Sequence, residues 1–354
     1  MKWNRQIRNS AMVSVLALPV VLSGCSLFGT GPSSQIDPPP TDIETQMMQG
    51  TGAAGQTSLA AGEAVSTVYL QNDHGLLAPI SLHLSQRDDA TAKTTAALEA
   101  LVSDGPYAKL LPAGFVGVLP KGTEVKAVTL KSDEKLAVVE FSKEFANYPA
   151  ADERKIAEAL TWTLIDNPEI ENVQLWMDGA KLNEMPVGGM PLDRPLNRSL
   201  GINLQLDNET NLSQSNPVTV FFSAATEDGT AYFVPVTRFV PYGSDLVAAA
   251  VDELIKGPMK GDGLENAVTQ NTVLDGVERS DNGVVTVSID DDMFDPGEKL
   301  PAQMMQSLVL TVSENSAQDK VRIWLNGEKE VVGTDNQDYG QPVMRPQGIN
   351  DIAL

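Results

Sequence analysis

Apolar and polar residues alternate along Val173-Gln174-Leu175-Trp176-Met177-Asp178-Gly179, and the same alternation returns at Val321-Arg322-Ile323-Trp324-Leu325-Asn326-Gly327. A period of two predicts a half-buried strand. Asp-Gly and Asn-Gly are the dipeptides of tight hairpin turns. Upstream, the same reading predicts strands near 66–71 and 78–85 around the turn composition Asn72-Asp73-His74-Gly75. A helix over 91–103 follows, with Ala97, Leu98, Leu101 and Val102 on one face, ended by Gly105-Pro106. Strands near 125–131 and 135–142 flank Ser132-Asp133-Glu134-Lys135. A helix over 151–166 carries Ile156, Leu160 and Leu164 at i, i+4 and i+8, and a strand over 172–178 closes the unit.

The unit then repeats. Thr67-Val68-Tyr69-Leu70 matches Thr219-Val220-Phe221-Phe222, and Leu136-Ala137-Val138-Val139-Glu140-Phe141 matches Val284-Val285-Thr286-Val287-Ser288-Ile289. From there to the paired Trp-x-[Asp/Asn]-Gly endings the offset holds at 148 residues. The helix end before Gly105-Pro106 resembles the one before Gly257-Pro258. The exits agree too, Arg198-Ser199-Leu200-Gly201-Ile202-Asn203 against Arg345-Pro346-Gln347-Gly348-Ile349-Asn350. Each copy therefore reads as ββαββαβ, an α+β unit with a small mixed sheet and two helices on one of its faces. A first domain spans 65–205 and a second 216–354. Their packing is open between a pseudo-twofold pair and a head-to-tail pair.

In each last strand Val, Leu or Ile point inward, which turns Trp176, Trp324 and Arg322 to the polar face. Either a neighbouring strand, the exit loop or the sister domain covers these tryptophans, or they face a partner, since tryptophan is enriched at interface hot spots. Trp176, Trp324 and Arg322 are the candidate partner-facing residues.

The first 64 residues carry no such periodicity. Lys2, Arg5 and Arg8 precede an apolar run, 11–22, too short to span a bilayer. It ends in Leu22-Ser23-Gly24-Cys25, which resembles a bacterial lipobox. Residues 1–24 read as a lipoprotein signal peptide, and Cys25 as the acylated N-terminus of the mature chain. Two acyl signals give stable anchoring where one does not. Residues 25–64, rich in Gly, Pro, Ser, Thr and Ala, read as a flexible tether with an r.m.s. span of about 35 Å.

The net charge of −22 over 354 residues argues against nucleic acid as a partner. One cysteine excludes an intramolecular disulfide, and two histidines make a multi-histidine metal site improbable. His74 and His83 both sit in the first hairpin, with no serine placed to use either as a base. No glycine-rich phosphate loop occurs. Asp290-Asp291-Asp292 with Asp295 is the one carboxylate run worth testing for calcium. It lacks EF-hand spacing, its counterpart contains Lys143, and a solvated loop is the plainer reading. No catalytic residue, cofactor or metal site is predicted, and an envelope hydrolase is the weakest of the readings.

The lipobox, the tether and two α+β units ending in Val-x-[Leu/Ile]-Trp-x-[Asp/Asn]-Gly together resemble the GerM-type sporulation and germination lipoproteins, which carry tandem GerMN domains. The resemblance covers residues 1 to about 350. It implies a fold similar to the ring-building modules of secretion machines and a non-enzymatic assembly role. It places the protein as a membrane lipid anchor on the extracytoplasmic face, between mother cell and forespore and near peptidoglycan. The implied partners are proteins of the sporulation channel complex. The alternative is an envelope lipoprotein that binds a cell-wall fragment between its domains.

Overall fold

The computed structural model describes residues 65–84, 89–206, 211–318, 320–346 and 348–352. Cys25, the leader and the tether lie outside the described residues. No helix among the described residues is long and apolar enough to cross a membrane.

The first copy opens with an antiparallel hairpin, β1 (Val65–Asn72) and β2 (Leu77–His83), extended by the short β3 (Phe115–Val116). Helix α1 (Ala90–Ala100) follows, capped by the Asp89 carboxylate, which accepts the Ala92 N–H. Strands β4 (Val125–Lys131), β5 (Leu136–Phe141), β6 (Asn172–Met177) and β7 (Ala180–Lys181) form one mixed sheet in that order, with β5 and β6 parallel. Helix α2 (Glu153–Ile165) makes the crossover between the parallel pair. The second copy repeats the plan with longer hairpin strands, β8 (Ser215–Ala225) and β9 (Ala231–Pro241), then α3 (Leu246–Lys256). Its mixed sheet is β10 (Val273–Ser280), β11 (Val284–Asp290), β12 (Lys320–Leu325) and β13 (Val343–Met344), with α4 (Ala302–Glu314) as the crossover.

The fold is α+β with two repeated units, as the periodicity predicts, but each copy has two sheets rather than one. The helix pair packs on β1, β4 and β6 in the first copy and on β8, β10 and β12 in the second. The helices are thus a middle layer between hairpin and mixed sheet. That explains why hairpin positions on both faces are buried: Val68, Tyr69 and Leu70 are consecutive and wholly inaccessible. The predicted helix over 91–103 stops at Ala100, because Val102 leaves it to bridge Leu119.

The closing turns behave as their sequences require. Asp178 and Asn326 have φ of 48° and 51°, each followed by a left-handed glycine, the geometry of a type I′ turn. At Asp281-Asn282-Gly283 only Gly283 is left-handed. That hairpin is a three-residue loop ending in glycine rather than the two-residue turn its Asn-Gly suggests.

Candidate functional site

Two regions concentrate polar chemistry: the seam between the copies and the outer faces of the two mixed sheets.

The seam is built from the two exits. Asn203, in a left-handed conformation, donates from Nδ2 to the Leu77 carbonyl at 2.7 Å and the Pro235 carbonyl at 2.8 Å, while Oδ1 accepts the Leu77 N–H at 2.9 Å. Asn350, also left-handed, donates to the Pro79 and Phe233 carbonyls at 2.7 Å and accepts the Phe233 N–H. Each side chain therefore bridges β2 of one copy and β9 of the other. The partners exchange as a pseudo-twofold axis demands, since Leu77 corresponds to Phe233 and Pro79 to Pro235. The preceding isoleucines follow suit. Thr237 pairs with Ile202 through N–H and hydroxyl, and Ser81 donates its hydroxyl to the Ile349 carbonyl. Gly201 and Gly348 permit the crossing: φ is positive at both, and a Cβ on Gly201 would stand 2.7 Å from Leu204 Cδ2 and 3.1 Å from Thr237. The packing question left open by the sequence is settled as a pseudo-twofold pair.

Charge accumulates on the same seam. Glu314 accepts from Arg198 of the other copy at 2.9 Å and from Arg345 of its own at 2.8 Å. Arg198 lies 4.1 Å from the centre of the Trp162 ring, and Arg345 lies 5.2 Å from that of Phe221. Burial pushes the Asp166 carboxyl above its ordinary range, despite a hydrogen bond from Thr67 and the nearby Arg198. It also raises the Tyr69 hydroxyl.

His74 lies in the hairpin turn against Gly263 of the second copy, and His83 faces Asp351 at 3.9 Å. Among the described residues, His74 is not brought to a nucleophile. The aspartate run is solvated as expected except at Asp291. Asp291 is buried, with one carboxylate oxygen accepting the Thr269 and Thr272 hydroxyls and the other the Met293 N–H. Its backbone exchanges two hydrogen bonds with Asn326. The carboxylate is occupied in holding the Thr269–Thr272 loop and Met293 while the backbone fastens the Trp324 turn, and no metal-binding cluster exists among the described residues. Asp290 and Asp292 are exposed.

Trp176 and Trp324 are both half-buried on the outer sheet faces. Trp176 donates from Nε1 to Gln174 Oε1 at 3.0 Å, with Glu140 beside it accepting the Gly179 N–H at 2.9 Å. Trp324 has Lys329 Nζ 4.6 Å from its ring centre, and the buried Nε of the neighbouring Arg322 has no hydrogen-bond partner.

Sequence reasoning passed over Glu153. It is buried at the start of α2, accepting from Tyr148 at 2.9 Å and from the N–H groups of Val187, Gly188 and Met190. Burial alone would raise its carboxyl, but these donors outweigh burial and hold it below the ordinary range. The signal in the sequence was Gly188-Gly189, a backbone free to wrap an anion.

A family model described as "Germane: Sporulation and spore germination" matches residues 67–183 and 219–331. The spore germination protein GerM of Bacillus subtilis is 35% identical over 356 residues, covering 95% of this chain and 95% of its own length. The solved tandem GerMN domains of the sporulation protein GerM from Bacillus subtilis superpose with a TM-score of 0.75 at 34% identity. That match covers 82% of this chain and 100% of the other.

Proposed function

The chain belongs to the Germane family of sporulation and spore germination proteins, and from that premise we propose that it is a membrane-anchored, non-enzymatic scaffold of spore formation. Cys25 carries the lipid, residues 25–64 tether the folded part, and the paired domains meet protein partners of the sporulation channel complex between mother cell and forespore. The observation that carries this reading is the seam. Two copies joined by reciprocal asparagine clamps form one preorganised platform, and preorganisation is what a scaffold contributes to binding. The polar groups a hydrolase would use, Asp291 and Glu153 among them, are occupied in holding turns.

The alternative, a cell-wall fragment held between the domains, gains no support from the seam, which is filled by the buried Ile202 and Ile349. A fluorescent fusion in sporulating cells tests the proposal. Enrichment at the engulfing septum and around the forespore is expected, and Cys25→Ala is expected to release the protein from the membrane fraction. Uniform vegetative membrane fluorescence would overturn the assembly role, and a membrane-bound Cys25→Ala variant the anchor.

A further inference from the structure

The two outer sheet faces share a tryptophan and a lysine, Lys181 and Lys329, and little else. Around Trp176 stand Glu140, Asn172, Gln174 and Lys181, which carry no net charge; 148 residues on, around Trp324, stand Ser288, Lys320, Arg322 and Lys329. The parallel register of β11 and β12 aligns Val284 with Lys320, Thr286 with Arg322 and Ser288 with Trp324, so the period of two puts Lys320, Arg322 and Trp324 on one face. Among the described residues none of the three cations is in an ion pair. In the first copy the face is closed on itself, Gln174 being used by Trp176. In the second, Arg322 Nε is a buried donor without an acceptor. Glu278 shares the face by register, but lies two strands away across Thr286, at a spacing of about 10 Å. Glu328 and Glu330 line a separate pocket with Leu325, whose side chain is on the inner face.

Three unpaired cations at one place on a chain of net charge −22 call for an anionic partner. We propose that the β12 face of the second copy docks a carboxylate-rich segment of a partner protein. Arg322 takes a carboxylate on its terminal Nη1 and Nη2 groups, since its Nε is covered by the protein itself. Lys320 and Lys329 steer the segment. The Trp324 ring at one end of β12 and Met344 beside Lys320 at the other, the latter 63% exposed, are the apolar contacts of the face. That apolar flank decides for a protein segment over a phosphate polymer, which would leave it unused. The proposal rests on the scaffold reading and names the surface and partner chemistry that reading leaves open.

The test uses the full chain in detergent micelles and a fluorescein-labelled peptide of alternating Glu and Leu, with its Gln-Leu counterpart as control. The variant Ser288→Glu, Lys320→Asn, Arg322→Gln gives the second face the residues of the first, so the fold already accepts them at equivalent places. The acidic peptide is expected to bind wild type roughly tenfold more tightly than this variant, and to weaken between about 50 and about 300 mM salt. The control peptide is expected not to bind. Equal binding to wild type and variant, or binding indifferent to salt, overturns the proposal. Displacement by inorganic polyphosphate as effective as by peptide, per unit charge, assigns the face to an anionic polymer and overturns it too. Should the triple variant not fold, Lys329→Gln, which removes one surface cation, carries the test with an expected loss of about threefold. Failure of peptide binding leaves the forespore localisation unaffected, and failure of that localisation leaves the peptide titration readable.

Discussion

The seam and the outer sheet faces are each present twice, and the two copies treat them differently. At the seam the chain repeats itself: Asn203 and Asn350, Ile202 and Ile349, and Gly201 and Gly348 take corresponding partners, while Arg198 and Arg345 converge on the single Glu314. On the faces the tryptophan and one lysine, Lys181 and Lys329, recur, while the other neighbours change from acidic or neutral to basic or neutral. The difference has a physical reason. A seam residue must satisfy both copies at once, and a group left unmatched there is buried without a hydrogen bond, at a cost of about 1–3 kcal/mol. A half-buried face residue answers to water and to its own strand, so it can change charge with little effect on folding.

The largest effects are therefore expected at the asparagines. Asn203→Ala strands the Leu77 N–H and carbonyl and the Pro235 carbonyl. Asn350→Ala does the same to Phe233 and Pro79. Each is expected to lower stability by about 3 kcal/mol, and the two losses to agree within about 1 kcal/mol. Urea unfolding followed by tryptophan fluorescence and by circular dichroism measures both. Coincident transitions in wild type that separate in either variant would show that the seam alone makes the copies unfold together. A loss at one asparagine only would break the pseudo-symmetry argument.

Much of this fold is legible in the sequence because it rests on period and turn chemistry. The strands at 125–131 and 172–178, the crossover helix and the left-handed Asp178 and Asn326 all follow from local pattern. The seam is legible only in part. The recurrence of Gly-Ile-Asn marks equivalent exits, but the strands they clamp are 32 to 271 residues away, and no local rule names them. The separate hairpin layer was hidden for a related reason: a strand covered on both faces loses the alternation that would assign it to one side of a sheet. Asp291 reads as one of three solvated acids until Thr269 and Thr272 are seen to fold over it. Trp176, Trp324 and Arg322 sit on the outward faces that alternation assigns them, although periodicity gave no hint that Arg322 Nε lacks an acceptor.

Glu153 lies between the extremes of the comparison. It pins the segment that runs from the first Trp face back to the seam, and the position 148 residues on is Pro301, which has no such carboxylate. The second copy fastens its return with the Tyr339 hydroxyl on Asp335 at 2.7 Å instead. Glu153→Gln keeps the shape but exchanges an anion for a neutral amide among four donors. It is expected to cost about 2 kcal/mol at neutral pH. Because the folded-state carboxyl is held below its unfolded value, its contribution is fully present above the unfolded pKa and is lost as pH falls through the folded one. The gap between wild type and variant, measured by thermal melts across the acid range, is expected to close as pH drops below about 4. A gap that persists unchanged at low pH would show that shape rather than charge holds the loop.

The smallest effect is expected where the faces diverge. Gln174→Arg gives the first face the residue that its counterpart carries at Arg322. The one hydrogen bond it removes is that of Trp176 Nε1. The tryptophan is half-buried, so water can replace the acceptor, and the arginine stem covers the ring as well as the glutamine did. Stability is expected to change by less than about 0.5 kcal/mol, measured by the urea midpoint at constant m-value. A loss above about 1.5 kcal/mol would mean that the Gln174–Trp176 bond is structural in the way the seam is. The contrast between a seam bound to its symmetry and faces free to differ would then fail at the first face, leaving the basic face of the second copy to be explained by its own folding rather than by a partner.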